Sequence, residues 1–142
     1  MKFTRKKIAR KKAYDELYLW PIFSKFIRLR DSDKQGVGRC FTCGKPILWT
    51  QGDAGHGIPR QHKATKYDEK NSNLQCKPCN GFQGGMREVY KVAMDKKYGE
   101  GTWDGLILRS RNISKMAKFE YDLLITHYSD EVAKLKLEKG IQ

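Results

Sequence analysis

Two Cys-x-x-Cys pairs, Cys40/Cys43 and Cys76/Cys79, constrain this chain more than any other feature. Each pair spans one tight turn and can present two sulfurs to one ion, and zinc prefers four such ligands in a tetrahedron. A metal held by both pairs joins segments distant in sequence and closes residues 44–75 into an insert. That insert contains His56 and His62, and Asn80 follows the last cysteine directly. Gly44 after Cys43 lets the first turn tighten into a knuckle. A redox disulfide is the main competing reading, but it would use only one of the two pairs.

A chain of 142 residues with 39% hydrophobic content is expected to form one domain with a modest core. No apolar run approaches the roughly 20 residues that span a bilayer. No apolar stretch of the secretory kind follows the basic N-terminus, so no membrane partner and a cytoplasmic location are expected. In that compartment thiols stay reduced, and paired cysteines favour metal over disulfide.

Lysine and arginine total 29 against 16 acidic residues, a formal charge of +13. Such a field gathers polyanions and speeds their association. The excess is uneven: residues 2–12 carry Lys2, Arg5, Lys6, Lys7, Arg10, Lys11 and Lys12 without one acid. Residues 1–12 therefore read as a basic arm for phosphate backbone, which contributes affinity without sequence information.

Beyond the arm, Tyr14, Leu17 and Tyr18 begin a helical pattern, and Pro21 suits the first turn of a second helix. Ile22, Phe23, Phe26 and Ile27 fall on one face of it. Two short strands are predicted at Phe41 and Ile47–Trp49, around the turn Cys43–Pro46. Residues 51–73 read as mostly irregular, and Tyr67 as packing near the metal knot. Met86–Tyr98 reads as a helix ended by Gly99, with Thr102 capping a shorter one. From Ser114 a long helix is predicted. Its near-heptad stripe of Ile113, Ala117, Tyr121, Leu124, Tyr128, Val132 and Leu135 either packs on this domain or forms a homodimer seam. Trp49 and Trp103 read as core, and His127 as a core or surface residue.

The insert reads Gly52-Asp53-Ala54-Gly55-His56-Gly57-Ile58-Pro59-Arg60. Hydrolysis of a phosphodiester needs a base that works near neutral pH and a divalent ion to offset charge on phosphate and leaving oxygen. Histidine supplies such a base, and carboxylate and amide oxygens suit Mg²⁺. His56, Asp53 and Asn80 are the right chemical types. Arg60, Lys63, Lys77 and Arg87 are candidate contacts to the nucleic-acid backbone.

Taken together, the Gly-His-x-x-Pro loop, Asn71, Asn73 and Cys-x-x-Cys-Asn resemble the HNH, or ββα-metal, nucleases, and zinc-bound resolvases of the endonuclease VII type. More narrowly, the chain resembles the NinG/Rap family of lambdoid phage recombination endonucleases. The likeness runs through Phe26–Asp31, Cys40–Gly44, Asp53–His56, Tyr67–Asn71, Gln75–Asn80, the Gly85–Lys91 helix start and His127-Tyr128. It leaves out the basic arm.

The resemblance implies an α+β fold: a zinc-stapled ββα-metal (HNH, treble-clef-like) nuclease core over about residues 38–98. Helical extensions flank it, the C-terminal one over 102–138, in one domain of residues 13–142. It implies His56 as general base, and a structural Zn²⁺ on Cys40, Cys43, Cys76 and Cys79. Asn80 would hold a catalytic Mg²⁺ or Mn²⁺ with Asp53, and His62 or Asp68 stand as alternative second ligands. Asn71 or Asn73 would orient the base or tie down the loop, and both count as candidate catalytic residues. The implied substrate is branched DNA such as Holliday junctions and D-loops, cut in a host cytoplasm. One departure is Gly55, where many HNH enzymes carry an acidic residue or histidine before the base. A sequence-specific homing or restriction nuclease, or a zinc-knuckle module that binds nucleic acid without cutting, are the competing readings.

Overall fold

A computed structural model of the chain describes residues 12–142. All of the basic arm but Lys12 lies outside the described residues, including Lys6, Lys7, Arg10 and Lys11. The fold is α+β, with two small antiparallel sheets set among helices. Helices α1 (Tyr14–Tyr18) and α2 (Trp20–Arg30) come first, and Pro21 lies in the first turn of α2 as expected. Phe23, Phe26, Ile27 and Leu29 of α2 are buried. The long C-terminal helix α7 (Lys118–Lys139) covers them. There the ring of Tyr128 meets Phe23 edge-on at 5.0 Å and lies 4.9 Å from Phe26.

The stripe on α7 is thus spent inside the domain: Tyr128 and Val132 are buried, and Tyr121, Leu124 and Leu135 pack beside them. These five residues of the stripe pack within the domain, as the first of the two expectations has it. The expected start at Ser114 needs correcting. The helix begins at Lys118, where the Glu120 carboxylate accepts the Ala117 N–H at 2.7 Å. That leaves Ile113 outside the helix and 90% exposed.

Strands β1 (Val37–Arg39) and β2 (Pro46–Leu48) flank the first cysteine turn, pairing Gly38 with Ile47. The first strand was expected at Phe41. It ends earlier because residues 40–45 are drawn into the knuckle, where Cys40 N–H donates to the Lys45 carbonyl (2.8 Å) and Gly44 N–H to the Cys40 carbonyl (2.9 Å). Gly44 sits at φ +76°, a left-handed turn that glycine adopts without strain. Phe41 instead donates its N–H to the Leu74 carbonyl.

Within residues 51–73, expected to be irregular, lie β3 (Asp53–His56) and a turn of helix, α3 (Lys63–Lys66). Strand β3 pairs with β4 (Ser72–Gln75), Gly55 opposite Asn73. Asp-Ala-Gly-His has low strand propensity, so the partner strand, buried along its whole length, supplies the order that local sequence lacks. Helix α4 (Lys77–Asn80) follows at once, capped by Cys76.

Helices α5 (Arg87–Tyr98) and α6 (Thr102–Ser110) close a second apolar cluster of Ile58, Tyr90, Met94, Trp103 and Leu106. The N-cap of α6 is Gly101 rather than Thr102. Tyr67 also departs from expectation. It packs edge-on against Phe23 at 5.3 Å, in the α2–α7 core and not at the cysteines. Trp103 is buried, Trp49 packs on the α2–α7 core, and His127 is exposed. Among the described residues, no helix is long and apolar enough to cross a membrane.

Candidate metal centre and adjoining cleft

The β1–β2 knuckle and the start of α4 bring Cys40, Cys43, Cys76 and Cys79 together, with all four sulfurs within 4.8 Å of one another. A zinc–sulfur bond of ~2.3 Å in a tetrahedron separates ligand sulfurs by ~3.8 Å. Cys43 Sγ and Cys76 Sγ lie 3.8 Å apart. All four cysteines are free of disulfides, and this donor set fits structural zinc. Around Cys40, burial works against the thiolate. The N–H groups of Cys43 and Cys76 and the Thr42 hydroxyl outweigh it and draw the pKa down to about 6, whereas burial and the neighbouring sulfurs hold the other three thiols above the usual value. A thiolate is the form that binds the ion.

Next to the end of α4, residues of α2, β3, the segment after β3 and the loop before α5 shape a cleft of about 440 Å³. His56, Asp53 and Asn80 all line it, the first two from β3 and the third from the end of α4. Arg60 and Arg87 line it as well. Asp53 accepts from Lys77 Nζ at 2.7 Å and from Asn80 Nδ2 at 3.1 Å. Lys63 is exposed on α3, away from the cleft lining.

His56 is held in one orientation. Its Nε2 lies 2.8 Å from the Lys66 carbonyl, which can only accept. Nε2 therefore carries the proton and Nδ1 keeps its lone pair. The ring stacks on Trp20 at 5.1 Å and 27°, and the Arg60 guanidinium lies over that indole at 4.3 Å. Burial, helped by the positive charges of Arg60 and Lys66, overrides the Lys66 carbonyl and lowers the imidazole pKa to about 4. The ring is neutral at pH 7.

Lys66 in turn is anchored. Its ammonium, almost fully buried, donates to Asp15 at 2.6 Å and also to Glu16, which pairs as well with Arg60. The Tyr67 hydroxyl adds a bond to Asp15 at 2.8 Å. Helix α1 thus holds α3 in place, and α3 holds the imidazole.

Of the two roles expected for the asparagines, tying down the loop is the one these geometries serve. Asn71 is fully buried; its Oδ1 accepts Ile58 N–H at 2.8 Å, and its Nδ2 donates to the carbonyls of Ile58 and Thr65. Asn73 is also fully buried; its Oδ1 accepts from Tyr98, Lys97 and Arg30, and its Nδ2 donates to Tyr90. Neither amide bonds His56 or lines the cleft, so a direct catalytic role is not supported by position. His62 occupies the N-cap position of α3 and Asp68 pairs with Arg109; neither lines the cleft with Asn80, which leaves Asp53 as the carboxylate placed there.

Gly55 has a steric reason. A Cβ there would lie 1.8 Å from Gln75 Oε1, so no acidic residue or histidine fits before His56 without moving a fully buried side chain. Sequence reading did not single out Trp20 or Lys66 as site residues. Both reach His56 only through tertiary packing, and nothing local distinguishes a buried lysine from a solvated one.

No curated protein and no solved structure matches the chain. The family model described as Bacteriophage Lambda NinG protein matches residues 1–138, which takes in both cysteine pairs and every residue of the cleft. The chain belongs to the bacteriophage lambda NinG family.

Proposed function

We propose that this protein is an HNH-type endonuclease with a ββα-metal core, cutting branched DNA by divalent-metal-dependent phosphodiester hydrolysis. One observation carries the reading: a neutral, oriented imidazole, a carboxylate and an amide line one cleft bordered by arginines, beside a four-cysteine cluster. His56 Nδ1 takes a proton from water, and the resulting hydroxide attacks phosphorus as the P–O3′ bond breaks and the departing 3′ oxygen takes a proton from solvent. The products carry 5′-phosphate and 3′-hydroxyl ends. Arg60, Lys77 and Arg87 hold the phosphate by charge. Asp53 and Asn80 offer the oxygen ligands that Mg²⁺ or Mn²⁺ accepts alongside water and substrate oxygens, and the bound ion would neutralise developing charge. Resolving a junction takes two symmetric cuts, so two copies are expected on one DNA.

A binding module without chemistry is favoured by two contacts: Lys77 and Asn80 each already donate to the Asp53 carboxylate. Cleavage of a four-way junction and of a linear duplex of the same sequence separates the readings, using wild type and His56→Ala with and without Mg²⁺. The nuclease reading expects metal-dependent cutting of the junction, lowered roughly 10²- to 10⁴-fold by His56→Ala, with zinc content and DNA binding kept. Equal cutting of the duplex would point to a sequence-specific enzyme. Binding with no cutting in any arm would leave only the module.

A further inference from the structure

We propose that Phe82 is the platform of a binding site for one unpaired nucleobase at the edge of the cleft, an inference that rests on the DNA-acting reading above. Phe82 is 96% exposed, more than any other large hydrophobic side chain among the described residues. It belongs to none of the apolar clusters found among those residues. Its position is defined by the site. It lies two residues after Asn80, in a loop whose Gly84 and Gly85 line the cleft.

The loop is tied down on several sides. Gly81 N–H donates to the Lys77 carbonyl (2.8 Å), Gln83 N–H to that of Pro78 (3.1 Å) and Gly85 N–H to that of Cys79 (2.9 Å). The buried Gln75 amide donates to the Gly85 carbonyl at 3.1 Å. The backbone beneath Phe82 is therefore fastened to the cysteine-bearing helix and to β4, while the ring projects into solvent.

The chemistry around the ring selects its occupant. Residues 76–87 carry two exposed cations, Lys77 and Arg87; Lys77 pairs with Asp53 at 2.7 Å, and Glu88 follows Arg87. A lone ring between glycines offers too little apolar area for a stable protein interface. One exposed aromatic face beside the cleft, on a chain of net charge +13, matches a base with its phosphates, where stacking contributes affinity and the charges follow the backbone. Bases inside a duplex are already stacked on each other, and separating them costs about a few kcal/mol per step, so the ring gains a partner most cheaply where a base is unpaired. Branch points supply such bases, and the site would add a preference that the cleft itself does not encode.

The test measures affinity, by fluorescence anisotropy, for a labelled duplex with one bulged, unpaired adenine and for the fully paired duplex. Wild type, Phe82→Ala and Phe82→Trp are compared as full chains without added divalent ion. Wild type is expected to prefer the bulged duplex. Phe82→Ala should weaken bulge binding by roughly 5- to 100-fold, several times more than it weakens paired-duplex binding, and Phe82→Trp should keep the preference. A wild type that binds both duplexes alike, or a Phe82→Ala loss equal on the two, overturns the site. Adding Mg²⁺ to the same mixtures reads cleavage separately: uncut DNA with the preference intact would count against the nuclease reading and leave the stacking site standing.

Discussion

Replacing Lys66 by Met should cost this protein a large share of its stability, because it strips the cation from a buried pair. Lys66 is 5% exposed and Asp15 7%, and burial alone would push the Asp15 carboxyl up. The Lys66 ammonium and the Tyr67 hydroxyl reverse this and hold its pKa below the usual value. Removing one partner of a buried ion pair costs about 3–5 kcal/mol, because the other charge stays desolvated. Tyr67 still bonds Asp15, and Glu16, with a side chain 31% exposed, falls back on Arg60 and water. The expected loss is therefore at the low end, about 3 kcal/mol. With a urea slope of roughly 1–3 kcal/mol per molar, the midpoint should fall by about 1–3 M at fixed zinc concentration. Asp15→Leu in the same chain removes the stranded carboxylate, so Asp15→Leu/Lys66→Met should lie within about 1 kcal/mol of wild type. On the proposed nuclease reading, and since the Lys66 carbonyl orients His56, the single variant should also lose junction cleavage near its midpoint before global unfolding is complete. A midpoint for Lys66→Met indistinguishable from wild type, or a double variant as weak as the sum of its singles, would refute this account of α1 and α3.

Elemental analysis should find about one zinc per chain, and Cys79→Ser should abolish it and collapse the β1–β2 knuckle, read by loss of amide-exchange protection there. His56 has a folded pKa of about 4, below the ~6.5 of an unfolded histidine, so the unfolded chain binds more protons between those values. Stability should accordingly fall as pH drops from about 6.5 to 4, by an amount on the order of 3 kcal/mol, and titrating His56→Ala should show that slope removed. Gly55→Ala would press a methyl against the buried Gln75 amide and should cost about 1–3 kcal/mol by thermal unfolding.

Much of the site could be seen in the sequence because its chemistry needs rare residue types at short spacing. Cysteine pairs separated by two residues can bite one ion wherever they are placed, and Asn80 directly follows the last of them. The element that carries the histidine was harder to see. Asp-Ala-Gly-His has no strand pattern of its own and becomes β3 only because Ser72–Gln75 pairs with it. The stripe on α7 was legible as a stripe, but its partner was not, since periodicity marks a buried face without saying what buries it.

By itself, the order of residues determined that two sulfur pairs would meet, that a histidine-bearing insert would be closed between them, and that the surface would be positive. Those properties follow from the identity and spacing of side chains alone. The tertiary structure decided which imidazole nitrogen keeps its lone pair, that Trp20 and Lys66 hold the ring, and that Asn71 and Asn73 serve the scaffold. These depend on contacts between residues dozens of positions apart, where packing and burial, not local propensity, choose the partner.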